Sequence, residues 1–216
     1  MQTGPIIVFD SGIGGLSIYR PLRRALPAQN IFYFADTTNF PYGNRTVAWL
    51  RRRFGQLAVQ FAQLSPTALV VACNTATVSA IDIFRRYLSC PVVGVEPVIK
   101  PLAKYPHSLA LMTKAAARSP QTQALLNKYG EHVQIYSPKG LAEAIEYNDY
   151  VQVKKILTVL KRFVNKHQVT AIGLSCTHYP LILPELTRLL PDIHFIDPSR
   201  AVVKQVMRVL RLPKHE

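Results

Sequence analysis

Short apolar runs alternate with longer stretches of helical spacing along the whole chain. In the first half the runs are Ile6 to Phe9, Ile31 to Phe34, Ala68 to Ala72 and Pro91 to Val95. In the second half they are Ser108 to Met112, Val133 to Tyr136, Val169 to Leu174 and the pair Phe195-Ile196. Most are apolar on consecutive positions, the pattern of strands covered on both faces. Between the first two runs, Leu16, Tyr19, Leu22 and Leu26 recur at helical intervals. Pro21 in their midst lacks a backbone N–H and is expected to kink or delay that helix. Further helices are predicted over Thr46–Leu64, stopped by Ser65-Pro66, and over Thr75–Leu88 and Gln121–Tyr129. Asp149–His167 carries Val153, Ile156, Leu157, Leu160 and Val164 on one face and reads as a long amphipathic helix. Pro180–Leu190 follows with proline in its opening turn, and a last helix ends near Leu212. Strands separated by helical segments predict parallel βαβ units and an α/β fold.

The residues at the strand ends change the picture from fold to chemistry. The first strand delivers Asp10, then Ser11-Gly12-Ile13-Gly14-Gly15; the third delivers Cys73-Asn74-Thr75; the seventh delivers Cys176-Thr177-His178. Ligands of open parallel sheets bind beyond the carboxyl ends of the strands, so all three sets are placed for a site. The two cysteine turns echo one another 103 residues apart (176 − 73), as two related lobes facing one cleft would require. A cysteine just ahead of a helix feels the positive end of the helix dipole, which favours thiolate. Thr75 and Thr177, with the N–H groups of a helix start, form a cradle for a carboxylate. DSGIGG lacks the lysine and hydroxyl of a phosphate loop, and its glycines fit a tight turn with close backbone approach. Each element alone has a plainer reading. A buried structural cysteine, an Asp10 cap, a satisfied His178 and an ordinary turn at Pro41-Tyr42-Gly43 are all common. The matched thiols, each with its threonine, favour chemistry.

Length and charge set the remaining bounds. The 216 residues suffice for a core without disulfide or metal staples. Cys73, Cys90 and Cys176 form no CxxC pair, and no zinc-type ligand cluster is evident; Cys90, ahead of Pro91, reads as structural. No apolar stretch approaches the ~20 residues of a membrane helix, and the N-terminus lacks the features of a signal peptide. A soluble, cytoplasmic protein with no membrane partner is expected. The 26 Lys and Arg exceed 12 Asp and Glu, a net charge of +14. The cations lie in scattered short clusters without interleaved aromatics, a pattern of solvated helix faces. Binding of nucleic acid or an acidic partner remains the lesser reading of that charge.

With these motifs in order, FDSGIGGLS at 9–17, YFADTTNFPYG at 33–43, VVACNTAT at 70–77, VVGVEP at 92–97 and GLSCTHYPL at 173–181, the sequence resembles the glutamate racemases of the aspartate/glutamate racemase superfamily. The resemblance implies two pseudo-symmetric α/β lobes with parallel sheets and an active site in the cleft between them. Residues 1–97 with 197–216 would form the first lobe, and 98–196 a second, shortened one. By the same resemblance Cys73 and Cys176 are the acid/base pair, assisted by Asp10 and His178. Asp10, Ser11, Tyr42, Gly43, Asn74, Thr75, Thr177 and His178 would hold a small acidic amino acid. Neither metal nor other cofactor is implied, and a homodimer is compatible with the family. The implied activity interconverts L- and D-glutamate for peptidoglycan. Its alternatives are a sibling acting on aspartate or another acidic substrate, or a weakened racemase-like protein binding an acidic partner. The chain departs from the family pattern at Ala116, where a second threonine is expected, and at Ser137, where a cysteine is expected. Either Glu143 or Glu146 stands for the glutamate that assists the second thiol.

Overall fold

The computed structural model describes residues 4–212. Eight strands form two parallel sheets of four. The first contains β1 (Ile6–Asp10), β2 (Ile31–Ala35), β3 (Ala68–Val71) and β4 (Val92–Gly94), in the order β2-β1-β3-β4. The second contains β5 (Ser108–Met112), β6 (Val133–Tyr136), β7 (Ala171–Ser175) and β8 (His194–Ile196), in the order β6-β5-β7-β8. The two orders are the same, strand for strand, so the chain carries the same winding twice.

Side-chain alternation explains why each sheet is buried on both faces. In the first, Ile7, Phe9, Leu69 and Val71 pack against α2 (Val47–Gln63) and α3 (Asn74–Tyr87). Ile6, Val8, Ala68 and Val70 turn the other way, onto α1 (Leu16–Ala25) and α10 (Ser199–Val209). In the second, Leu109, Leu111, Ile172 and Leu174 meet α7 (Leu141–Glu146), α8 (Tyr150–Lys166) and α9 (Leu183–Leu189). Ala110, Met112 and Ala171 face α4 (Ile99–Leu102) and the partly buried side of α6 (Pro120–Tyr129). The helix α10 thus closes the first sheet, on the far side in sequence from the whole second sheet.

All eight apolar runs become strands, within a residue or two of their expected ends. The helices need more correction. The helix α1 continues through Pro21 from Leu16 to Ala25. Burial of Ile18 and Leu22 against the sheet holds it together against a proline cost of about 3 kcal/mol. The segment after Cys176 is not one helix, because Tyr179–Ile182 form a 3-10 turn before α9 begins at Leu183. Three short helices were not anticipated: α4, α5 (Lys114–Arg118) and α7. No helix among the described residues is long and apolar enough to cross a membrane.

Phe9 anchors the first core. It lies within 6.2 Å, centroid to centroid, of the rings of Phe34, Tyr42, Phe54, Phe61 and Phe84. Truncation to alanine leaves a cavity among rings that cannot collapse together. The Phe9→Ala variant is expected to lose about 3–5 kcal/mol of unfolding free energy, read from the midpoint of urea denaturation.

Candidate active site

The carboxyl ends of β1, β3 and β7 converge on one cavity of about 720 Å³. Cys73 and Cys176 both lie on its wall and both are buried, 6% and 7% exposed. Ser11, Tyr42, Gly43, Asn74, Thr75, Thr177 and His178 line the same space. Asp10 stands behind the wall, fully buried. Cys90 lies apart, ahead of β4. Among the described residues no group of three or more His, Cys, Asp or Glu is placed to hold a metal.

On the first side, Asp10 organises the turn that follows it. Its Oδ1 accepts from the Gly12 N–H at 3.0 Å and from the Ser11 hydroxyl at 3.5 Å. Its Oδ2 accepts from the Thr177 hydroxyl at 3.0 Å, across the gap between the two sheets. Burial raises the Asp10 pKa, opposed by the charge of His178 and by these hydrogen bonds. The Ser11 hydroxyl lies 3.8 Å from the Cys73 sulfur. Cys73 caps the N-terminus of α3, as expected, yet its thiol pKa is pushed well up rather than down. Burial dominates, the Asp10 charge adds to it, and the Ala76 N–H offsets only part. The Cys73 resting form is therefore the thiol.

On the second side the partner is an imidazole. His178 Nδ1 lies 3.9 Å from the Cys176 sulfur, and His178 Nε2 lies 2.7 Å from Glu146 Oε2. The same Glu146 oxygen accepts from the Ile13 N–H at 2.8 Å, so α7 is tied to the DSGIGG turn. Glu146, not Glu143, is thus the carboxylate behind the histidine, while Glu143 lines the cavity itself. Burial disfavours the charged imidazole, but the bonds to Cys176 and Glu146 outweigh it and raise the pKa to about 10. Glu146 is also desolvated, and its bonds from His178 and Ile13 carry its pKa below the ordinary carboxylate value. The helix-dipole argument applies to Cys73 alone, because a 3-10 turn intervenes between Cys176 and α9.

The glycines of the turn owe their identity to this crowding. A Cβ at Gly14 would lie 2.4 Å from His178 Nδ1, and one at Gly12 would lie 2.3 Å from Glu146 Oε2. A side chain at either position would displace the histidine–carboxylate pair.

Three further residues shape the cavity: Asp36 and Arg53, which were not singled out from the sequence, and Thr113, the threonine that remains of the pair expected by resemblance. Asp36 accepts from the Tyr42 hydroxyl at 2.6 Å, and Arg53 of α2 binds both Asp36 oxygens, at 2.9 and 2.7 Å. Burial works against the Asp36 charge, but bonds from Arg53, Tyr42 and Asn39 hold its pKa below the ordinary value. The clamp fixes Tyr42 and hence the Pro41-Tyr42-Gly43 turn. Thr113, after β5, lies 3.1 Å from the Thr75 hydroxyl and joins the two walls. The Asn74 amide donates to the Val95 carbonyl at 3.1 Å, while its buried oxygen has no partner and suits a donor on a bound molecule.

The His178 shift has a stability consequence with a defined sign. A cation whose pKa rises on folding contributes stability that is complete below its unfolded value of about 6.5. That contribution is lost as pH rises through the folded value of about 10. The thermal midpoint of the wild type should exceed that of His178→Asn near neutral pH. Differential scanning calorimetry should show the gap narrowing as pH approaches about 10.

Comparison with known proteins identifies the family of the chain. The Asp/Glu/hydantoin racemase family pattern matches residues 6–206. Glutamate racemase of Pseudomonas paraeruginosa is 36% identical over 97% of this chain and 82% of its own length. That of Pseudomonas syringae pv. tomato is 38% identical over 95% of this chain and 78% of its own. The Francisella tularensis glutamate racemase, solved with D-glutamate, superposes with a TM-score of 0.83 at 28% identity, covering 100% of this chain and 86% of that one. The Escherichia coli glutamate racemase, solved with L-glutamate and the activator UDP-MurNAc-Ala, gives 0.82 at 29% identity, covering 98% of this chain and 85% of that one. With a family match over nearly all of its length and two thiols facing one cavity, this chain belongs to the Asp/Glu/hydantoin racemase family.

Proposed function

We propose that the protein is a cytoplasmic glutamate racemase that interconverts L- and D-glutamate by two-base catalysis and supplies D-glutamate for peptidoglycan. The observation that carries this reading is the placement of Cys73 and Cys176 on the wall of one cavity, Cys73 beside the Ser11 hydroxyl and Cys176 beside the His178 imidazole. Inverting an α-carbon requires a base on one face and an acid on the other. One thiolate takes the α-proton, and the electron pair stays on carbon as a carbanion conjugated with the carboxylate. The opposite thiol then returns a proton from the other face, leaving the inverted amino acid and a thiolate on that side. The reaction runs backwards by exchanging the two roles, and a second turnover in the same direction requires a proton to leave the first sulfur and another to reach the second.

The high Cys73 pKa suits this task. It is a strong base once ionised, and a bound substrate ammonium would favour that ionisation by charge. Ser11, beside Asp10, can relay a proton to or from the Cys73 sulfur, and His178 stores one beside Cys176. Asn74 offers its free oxygen to the amine, and Thr75 with the Tyr42-Gly43 turn donates to carboxylate oxygens. Donors fixed before substrate arrives cost no reorganisation as the carbanion forms. In this reading residues 4–97 and 197–212 form one lobe and 98–196 the other, with chemistry at their junction; the expected ends of the first lobe, 1–3 and 213–216, lie outside the described residues.

Circular dichroism of L- and D-glutamate solutions should show racemisation in both directions, with deuterium entering both enantiomers in heavy water. Cys73→Ala and Cys176→Ala should each lower kcat by at least about 10²-fold. Full activity in either variant would remove the two-base mechanism, and turnover of aspartate without glutamate would move the protein to a sibling activity.

A further inference from the structure

Two ammonium groups stand on the cavity wall without a role in the chemistry described above. Lys114 follows Thr113 at the end of β5, and Lys139 lies in the turn that joins β6 to α7. Both are exposed, and neither takes part in an ion pair or a side-chain hydrogen bond among the described residues. The neighbouring carboxylates do not neutralise them. Asp10 sits behind the wall with both oxygens engaged, and Glu146 is bound to His178 and Ile13. Glu143 is the one carboxylate that shares the lining with the two lysines. The wall from the first sheet (Ser11, Tyr42, Asn74, Thr75) offers only neutral donors and acceptors.

The cavity is therefore polarised, with neutral groups around Cys73 and exposed cations on the opposite rim. Neutral donors suffice for one carboxylate held close to the reacting carbon. A second carboxylate, several bonds away, meets unpaired ammonium charge only at Lys114 and Lys139, because the other cationic group of the lining, His178, is bound to Glu146. We infer that these two lysines are specificity-determining residues that attract and retain the side-chain carboxylate of the substrate, so that the site favours dianionic ligands over those with one carboxylate. The inference rests on the reading of the protein as an acidic amino-acid racemase and names the feature that makes it acidic-selective. Long flexible cations suit the task. They raise the local concentration of an anion and can follow it inward without a prebuilt socket. Exposed charge pairs are individually weak, so the effect is a matter of affinity, not of chemistry.

The test combines kinetics with equilibrium binding of two unreactive probes, glutarate with two carboxylates and butyrate with one. In the Lys114→Gln/Lys139→Gln variant the KM for glutamate should rise roughly five- to tenfold, two weak pairs acting together, with kcat changed less than about twofold. Calorimetry should show glutarate affinity falling by a similar factor and butyrate affinity unaffected. Added salt should weaken glutarate binding to the wild type more than to the variant. Lys114→Arg/Lys139→Arg should restore most of the affinity. Equal loss for both probes, no loss for either, or a fall in kcat at constant KM would each overturn the inference. The glutarate arm separates it from the proposed activity. A wild type that fails to racemise glutamate, yet binds glutarate through these lysines, would remove the activity and keep the selectivity.

Discussion

The architecture depends on a buried polar bridge between the carboxyl ends of strands in the two sheets. Asp10 from the first sheet receives the Thr177 hydroxyl from the second, and Glu146 from the second side receives the Ile13 N–H from the first. Thr75 and Thr113 add a third link, and the Val98 N–H, which donates to the Ser175 hydroxyl at 3.0 Å, a fourth. A desolvated carboxylate is costly unless each of its lone pairs is met, so these bonds are either all made or strongly missed. They fix the angle between the sheets through groups that also serve the thiols. The placement of the sulfur atoms therefore depends on how the two sheets are joined.

The two halves share a strand order but not a chemistry. One sulfur, at the start of an α-helix, is approached by a serine that donates in turn to a carboxylate. The other is approached by a histidine whose far nitrogen is held by a glutamate. Both arrangements place a proton carrier beside sulfur, by different means. A reaction that must run in both directions gains from this, because each face keeps its own acid–base relay. The same crowding explains the glycine-rich turn, which has no phosphate to cradle and instead leaves room for an imidazole and a carboxylate from the other half.

Most of this was legible in the chain, for physical reasons that also mark where reading stopped. Strands buried on both faces leave continuous apolar runs, and all eight were visible. The cysteines and their neighbours sit at strand ends, where local pattern is informative. Helices of four to six residues, such as α4, α5 and α7, complete too few turns to show a period. Glu146 was therefore visible only as one of two candidates, on an element that was not seen. Asp36 and Arg53 lie on different elements, and their pairing is a tertiary fact with no local signature. The helix-dipole expectation at Cys73 failed in sign because burial, which sequence shows poorly at a single position, outweighs the dipole.

The packing of α10 on the first sheet bears on the order in which the protein is made. Val202, Val203, Val206 and Met207 cover the face formed by Ile6, Val8, Ala68 and Val70. Translation delivers those strands long before the helix that shields them, with the entire second sheet synthesised in between. For that interval the nascent chain exposes the part of this apolar face that α1 leaves to the last helix of the described fold, the kind of surface that draws chaperones and invites aggregation.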